Sequence, residues 1–222
     1  MPTLQEELDA LEAEIMAALP PNLQSVRSAS TTSLLERAAR LKPMAVGEQA
    51  PSFTLPDADG VATSLDSLLS HGPVLLHFYR GHWCSFCQRE LDAFTRLAAQ
   101  FHTLGVRLVF VSPDSPDRSA EFRRAHDPGF VFLADLGAKV AGAYGVQIEL
   151  GQPSRQFYES VGLGPSPCDG RPAWALPTPS SFLIVPGGEI RLSHHETDHR
   201  QRLDPAELLV KVRAALGLAA PG

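Results

Sequence analysis

The chain has 222 residues, 44% of them hydrophobic and 20% charged, with a formal net charge of −6. That length holds one large or two small domains with a sizeable core, and an acidic balance with no basic cluster argues against a nucleic-acid partner. No apolar run reaches the length of a membrane span, and the first residues lack the basic-then-apolar layout of a signal peptide. A cytoplasmic protein without a membrane partner is therefore expected.

Thr3-Leu4-Gln5-Glu6 has the form of a capping box, and Leu4, Leu8, Leu11, Ile15 and Leu19 mark one side of a helix that Pro20-Pro21 ends. Asn22 to Thr32 is polar and small and reads as a loop, with Ser33 to Glu36 capping a second short helix to about Leu41. Such a stripe docks on its own domain or on a second copy of the chain, so a homodimer is one expectation.

The main module starts near Val46. Ser52–Leu55 reads as a strand, Asp57-Ala58-Asp59-Gly60 as a tight turn into a second short strand, and Ser64–Leu69 as a helical turn. Val74–Tyr79 is apolar enough to be a buried strand of a parallel sheet. After a short gap, Leu91, Phe94, Leu97, Ala98, Phe101 and Leu104 recur at helical spacing, so a helix runs over Glu90–Leu104. Next come a strand over Val106–Val111, a polar helix over Asp117–His126, a strand over Phe130–Leu133 and a short helix over Lys139–Tyr144. Strands alternating with helices predict an α/β fold with a parallel or mixed sheet covered on both faces.

Residues 147–175, rich in proline and glycine, break this rhythm and read as an insertion outside the sheet. Ser180–Val185 and Glu189–Ser193 then flank Pro186-Gly187-Gly188 as an antiparallel hairpin, and Pro205 opens a terminal helix. The domain expectation is a helical extension over 1–45 followed by one domain over 46–222.

Two of the three cysteines, Cys84 and Cys87, stand between the Val74–Tyr79 strand and the helix. A helix N-terminus stabilises a thiolate, the reactive form of cysteine, and the two-residue gap lets the thiols close into a small disulfide ring. Cys84 is expected to sit exposed at the helix start and Cys87 one turn deeper. A structural zinc site would want a second pair, and the remaining cysteine, Cys168, is isolated and reads as incidental. His195-Glu196-Thr197-Asp198-His199 matches H-E-x-x-H. It directly follows a hairpin strand, however, and Arg202 and Pro205 stand where glycine and a third histidine would continue the pattern. An exposed polar loop is expected there, with no metal and no cofactor. Redox chemistry at Cys84 and Cys87 is the leading expectation.

The order strand, C-x-x-C, helix, strand, hairpin, helix resembles the thioredoxin fold. The stretches Ala50-Pro51-Ser52-Phe53-Thr54-Leu55-Pro56-Asp57 and Phe78-Tyr79-Arg80-Gly81-His82-Trp83-Cys84-Ser85-Phe86-Cys87 resemble the alkyl hydroperoxide reductase/thiol-specific antioxidant family, the peroxiredoxin-like proteins. The resemblance runs from about Val46 to Leu216 and implies reduction of hydrogen peroxide or organic hydroperoxides, with a thioredoxin- or glutaredoxin-like donor. Against the family pattern, Arg80 and Cys84 stand where a proline and a threonine precede the attacking cysteine, and Pro179 stands where an arginine precedes the later strand.

Thr178-Pro179 instead resembles the cis-proline loop that faces the C-x-x-C in thioredoxins, with Trp83 shaping the docking surface. Arg80 is a replacement cation able to lower a thiol pKa and hold an oxyanion. By thioredoxin logic Cys84 attacks and Cys87 resolves, whereas by peroxiredoxin logic Cys87 attacks peroxide and Cys84 condenses with its sulfenic acid. Both end in a Cys84–Cys87 disulfide, and the sequence leaves the attacker open. The alternatives to a peroxidase are a disulfide reductase and a non-enzymatic redox sensor.

Overall fold

The computed structural model describes residues 2–126, 129–168, 170 and 173–218. Five strands form the central sheet in the order β5-β4-β3-β8-β9. In the middle is β3 (Val74–Phe78), parallel to β4 (Arg107–Ser112), which is parallel to β5 (Val131–Ala134). On its other side β3 pairs antiparallel with β8 (Ser180–Ile184), and β8 with β9 (Ile190–His195). The two-residue period of a strand sorts β3 between two cores. Leu75 and Tyr79 face one layer with Phe110, Phe132 and Leu183, while Val74, Leu76 and Phe78 face the other with Val109, Val111 and Phe182. This mixed sheet, with helices on both faces, is the thioredoxin-like α/β fold that the element order implied.

The first face is covered by α4 (Ser85–Thr103) and α8 (Pro205–Ala215), and over them lies α1 (Leu4–Ala18), with Leu4 and Leu8 fully buried. The Thr3–Glu6 capping box forms as expected: Thr3 Oγ1 accepts from the Glu6 amide at 3.2 Å and Glu6 Oε2 from the Thr3 amide at 2.7 Å. The stripe of α1 thus docks on its own chain. The opposite face carries α3 (Leu65–Leu69), α6 (Lys139–Ala143) and a small hairpin of β1 (Thr54–Pro56) and β2 (Ala62–Ser64). α5 (Pro116–His126) packs against β5, the strand at one edge of the sheet.

Two expectations are corrected. Asn22 to Thr32 is not a loop: α2 spans Pro21–Ala38 without a break, with Pro21 in its first turn where the missing amide costs nothing. Its sequence shows no apolar stripe because it packs through small polar groups, with Ser30 Oγ donating to Ser154 Oγ at 3.0 Å in a buried contact. Its partner is α7 (Gln152–Ser160), inside the segment expected to lie outside any sheet. That segment also supplies β6 (Gln147–Glu149), paired antiparallel with β7 (Ala175–Pro177). Together α2, α7, β6 and β7 bury a third cluster around Leu34, Ile148, Phe157, Tyr158 and Leu176. Trp83 packs against both this cluster and the first, so the thiol turn lies at the junction of the sheet, the α7 unit and the N-terminal hairpin, which is α1 and α2 tied by the Arg27–Glu12 ion pair.

Candidate active site

The chain leaves the buried end of β3 through Arg80-Gly81-His82-Trp83 and enters α4 with Cys84 as its N-cap residue. Gly81 has φ +126°, and a Cβ there would stand 2.6 Å from Trp83 Nε1 and 2.7 Å from Asp114 Oδ2, so only glycine fits. The buried Asp114 carboxylate fixes the turn by accepting from the His82 amide at 2.6 Å, and it lies 3.1 Å from His82 Nδ1. His82 Nε2 in turn meets Tyr79 Oη at 3.0 Å. The Cys84 amide donates to the Gly81 carbonyl at 3.1 Å, and Cys84 O accepts from the Gln88 amide at 3.0 Å.

Both thiols are reduced and both are buried. Cys84 is 5% exposed rather than standing free at the helix start, which corrects the expectation for it. It is reached through a cavity of about 230 Å³ whose walls include Ile15, Leu19, Phe157 and Leu163. Cys87, with no exposure at all, does not line that cavity.

Two guanidinium groups flank the thiols. Arg80 is buried, donates to Tyr158 Oη, and stacks 5.2 Å from the Trp83 ring centroid and 5.4 Å from that of Tyr158. It has no carboxylate partner among the described residues, and its Nε has no hydrogen-bond partner. Arg202, whose side chain is also buried, donates from Nε to Glu90 Oε2 at 2.6 Å and points Nη2 at Cys87 Sγ, 3.6 Å away. Glu90 Oε2 also lies 3.4 Å from His77 Nε2, and His77 Nδ1 meets Ser181 Oγ at 2.8 Å.

These surroundings split the two thiols. A hydrogen bond from the Cys87 thiol is the strongest influence on Cys84; burial opposes it, the charges of Arg80 and Arg202 add to it, and the Cys84 pKa falls to about 5. Burial, followed by the neighbouring Cys84 thiolate, pushes Cys87 well above the ordinary thiol range, and Arg202 offsets this only in part because Glu90 faces the same sulfur. At neutral pH the arrangement is one thiolate, Cys84, and one thiol, Cys87. His199, also at the cavity, is held neutral by burial and by the nearby arginines.

The structure brings Arg80, Trp83, Cys84 and Cys87 together, whereas Thr178 and Pro179 stay outside the Cys84 cavity. Among the described residues there is no cis peptide bond, so the cis reading of Thr178-Pro179 is overturned. The Thr178 hydroxyl bonds instead to Val146 O at 3.3 Å, joining β7's end to the α6 turn. The H-E-x-x-H stretch is not on a helix: His195 ends β9 and His199 lies in the following turn. That turn is not simply exposed, because it carries the buried Arg202 and the cavity-lining His199. No cluster of potential metal ligands is found among the described residues. Cys168 is half-buried beside Gly137, and its neighbour Asp169 lies outside the described residues. Tyr158 and Arg202 were not singled out from the sequence; only a polar residue breaking the pattern at Arg202 stood as a signal.

The AhpC/TSA family matches over residues 46–193. A Mycobacterium tuberculosis protein named as a peroxiredoxin, MT2597, is 35% identical over 111 residues, covering 50% of this chain and 68% of that one. The thiol-disulfide oxidoreductase ResA of Bacillus thuringiensis is 31% identical over 104 residues, covering 46% and 59%. Among solved structures, peroxidoxin BcpB from Mycobacterium tuberculosis superposes with a TM-score of 0.58 at 24% identity, covering 77% and 97%.

Proposed function

We propose, for a chain that belongs to the AhpC/TSA family, a peroxidase cycle in which Cys84 is the attacking sulfur. The protein is a thiol-dependent oxidoreductase of peroxiredoxin type. What supports Cys84 as the attacker is one observation: it alone of the two thiols lines the cavity, and it does so beside a buried arginine that has no carboxylate partner among the described residues.

In this cycle the Cys84 thiolate attacks the terminal oxygen of a hydroperoxide and the O–O bond breaks. Cys84 becomes a sulfenic acid, and the departing alkoxide or hydroxide takes up a proton to leave as alcohol or water. Arg80 neutralises the thiolate before attack and faces the charge that moves onto oxygen during it. The Cys87 sulfur then attacks the Cys84 sulfur, and its proton leaves with the hydroxyl as water, giving the Cys84–Cys87 disulfide. A thioredoxin-like dithiol donor reduces that disulfide and is itself oxidised, and we place the cycle in the cytoplasm, where such donors operate.

The second reading, a disulfide reductase, is favoured by the same low-pKa thiol at a helix N-cap and by the similarity to ResA. The test is hydrogen peroxide consumption by the fully reduced protein, with free thiols counted before and after. The peroxidase reading expects a second-order rate orders of magnitude above that of free cysteine and two thiols lost per peroxide. A rate no better than free cysteine, with rapid reduction of a model disulfide, would establish the reductase instead.

A further inference from the structure

The cavity over Cys84 is larger than hydrogen peroxide requires. Its 230 Å³ holds about eight non-hydrogen atoms at the ~30 Å³ each that a liquid gives a water molecule. The Cys84 sulfur and the Arg80 guanidinium sit together at the thiol turn, whereas Ile15, Leu19, Phe157, Val161 and Leu163 supply aliphatic and aromatic walls, with Arg27 over the Phe157 ring and paired with Glu12. Leu163 is 45% exposed, an apolar surface left open to solvent. Two of the walls, Ile15 and Leu19, come from the N-terminal hairpin, outside the residues that the family match covers.

We propose that the N-terminal hairpin is part of the substrate site, with Ile15 and Leu19 as specificity-determining residues that bind the apolar substituent of an alkyl hydroperoxide. This rests on the peroxidase reading above and deepens it. The hydroperoxide group is placed at the thiolate and the guanidinium, the two charged groups at the thiol turn, and the chain of carbons follows the walls outward between α1 and the turn after α7. Each methylene moved from water onto those walls raises the second-order rate by about four-fold, until the cavity is full.

The experiment follows oxidation of the reduced full-length protein by stopped-flow fluorescence, using hydrogen peroxide and then ethyl, butyl and hexyl hydroperoxide. The variants are Leu19→Gln, which makes one wall polar, and Ile15→Trp, which fills the space. Both positions are half-buried, and circular dichroism with a thermal melt checks that each variant folds. The expected result is a rate rising by roughly four-fold per methylene in the unaltered protein, with the slope lost in both variants. A fast hydrogen peroxide reaction with no dependence on chain length overturns this inference and leaves the peroxidase reading standing. A slope that survives both substitutions also overturns it. Oxidation no faster than free cysteine by every hydroperoxide overturns the peroxidase reading itself, and this inference with it.

Discussion

Cys84 and Cys87 stand three residues apart on one helix, each beside a buried arginine, and yet their chemistry is opposite. On the Cys84 side the cation has, among the described residues, aromatic faces and the Tyr158 hydroxyl but no carboxylate, so the sulfur itself becomes its counter-ion. On the Cys87 side Arg202 is already engaged by Glu90, and little of its charge is left for the thiol 3.6 Å away. The hydrogen bond from Cys87 lowers Cys84 most and burial raises Cys87 most, and the arginines add to this split unequally because only one of them is engaged by a carboxylate.

Removing the carboxylate should make the two sides alike. Glu90→Gln leaves the buried Arg202 unpaired, so a loss of about 3–5 kcal/mol is expected in the denaturant unfolding free energy of the reduced protein. The same change removes a negative charge facing Cys87, so the Cys87 pKa moves down and disulfide closure after oxidation speeds up, read as the second phase in stopped-flow. An unchanged second phase would mean that Glu90 does not govern Cys87.

Removing the Arg80 cation should narrow the difference from the other side. Arg80→Met is expected to raise the Cys84 pKa by roughly one to three units. In the unaltered protein the oxidation rate should be level at neutral pH and fall with acid only below about pH 5, where the thiolate is lost. In the variant that fall should begin at higher pH, so the contrast is largest near pH 6. The stability linkage has a definite sign. A thiol whose folded pKa is depressed stabilises the reduced protein fully above its unfolded value near 8.5, and this stabilisation is lost as pH falls through about 5. Cys84→Ser should lack that component.

The smallest effect belongs to Tyr158→Phe, which keeps the ring beneath Arg80 and removes the oxygen that accepts from it. An oxidation rate about five-fold slower is expected, as for the loss of a single net hydrogen bond.

The thiol pair and the five-stranded sheet were legible because their signals are local: the apolar run of β3, the C-x-x-C spacing, and the helical period of Leu91, Phe94 and Phe101. α2 was not, because its packing uses Ser30, Ala38 and a buried hydroxyl contact to Ser154, and helical periodicity registers only apolar stripes. Arg202 meets Cys87 across 115 positions of chain and Tyr158 meets Arg80 across 78, and no local pattern reports such a contact. The Thr-Pro resemblance misled because it is a dipeptide signal. In this fold the Thr178 hydroxyl is taken by Val146 O, and Pro179 packs near Glu90 and Arg202 instead of opening onto Cys84.

The central claim is that Cys84 attacks, and the most direct measurement is the hydrogen peroxide oxidation rate of Cys87→Ser and Cys84→Ser, with sulfenic acid trapped by dimedone and located by mass spectrometry. The account predicts that Cys87→Ser is oxidised as fast as the unaltered protein with the label on Cys84, while Cys84→Ser reacts like free cysteine. Rapid labelling of Cys87 in Cys84→Ser, with a slow Cys87→Ser, would contradict it and return the attack to the deeper sulfur.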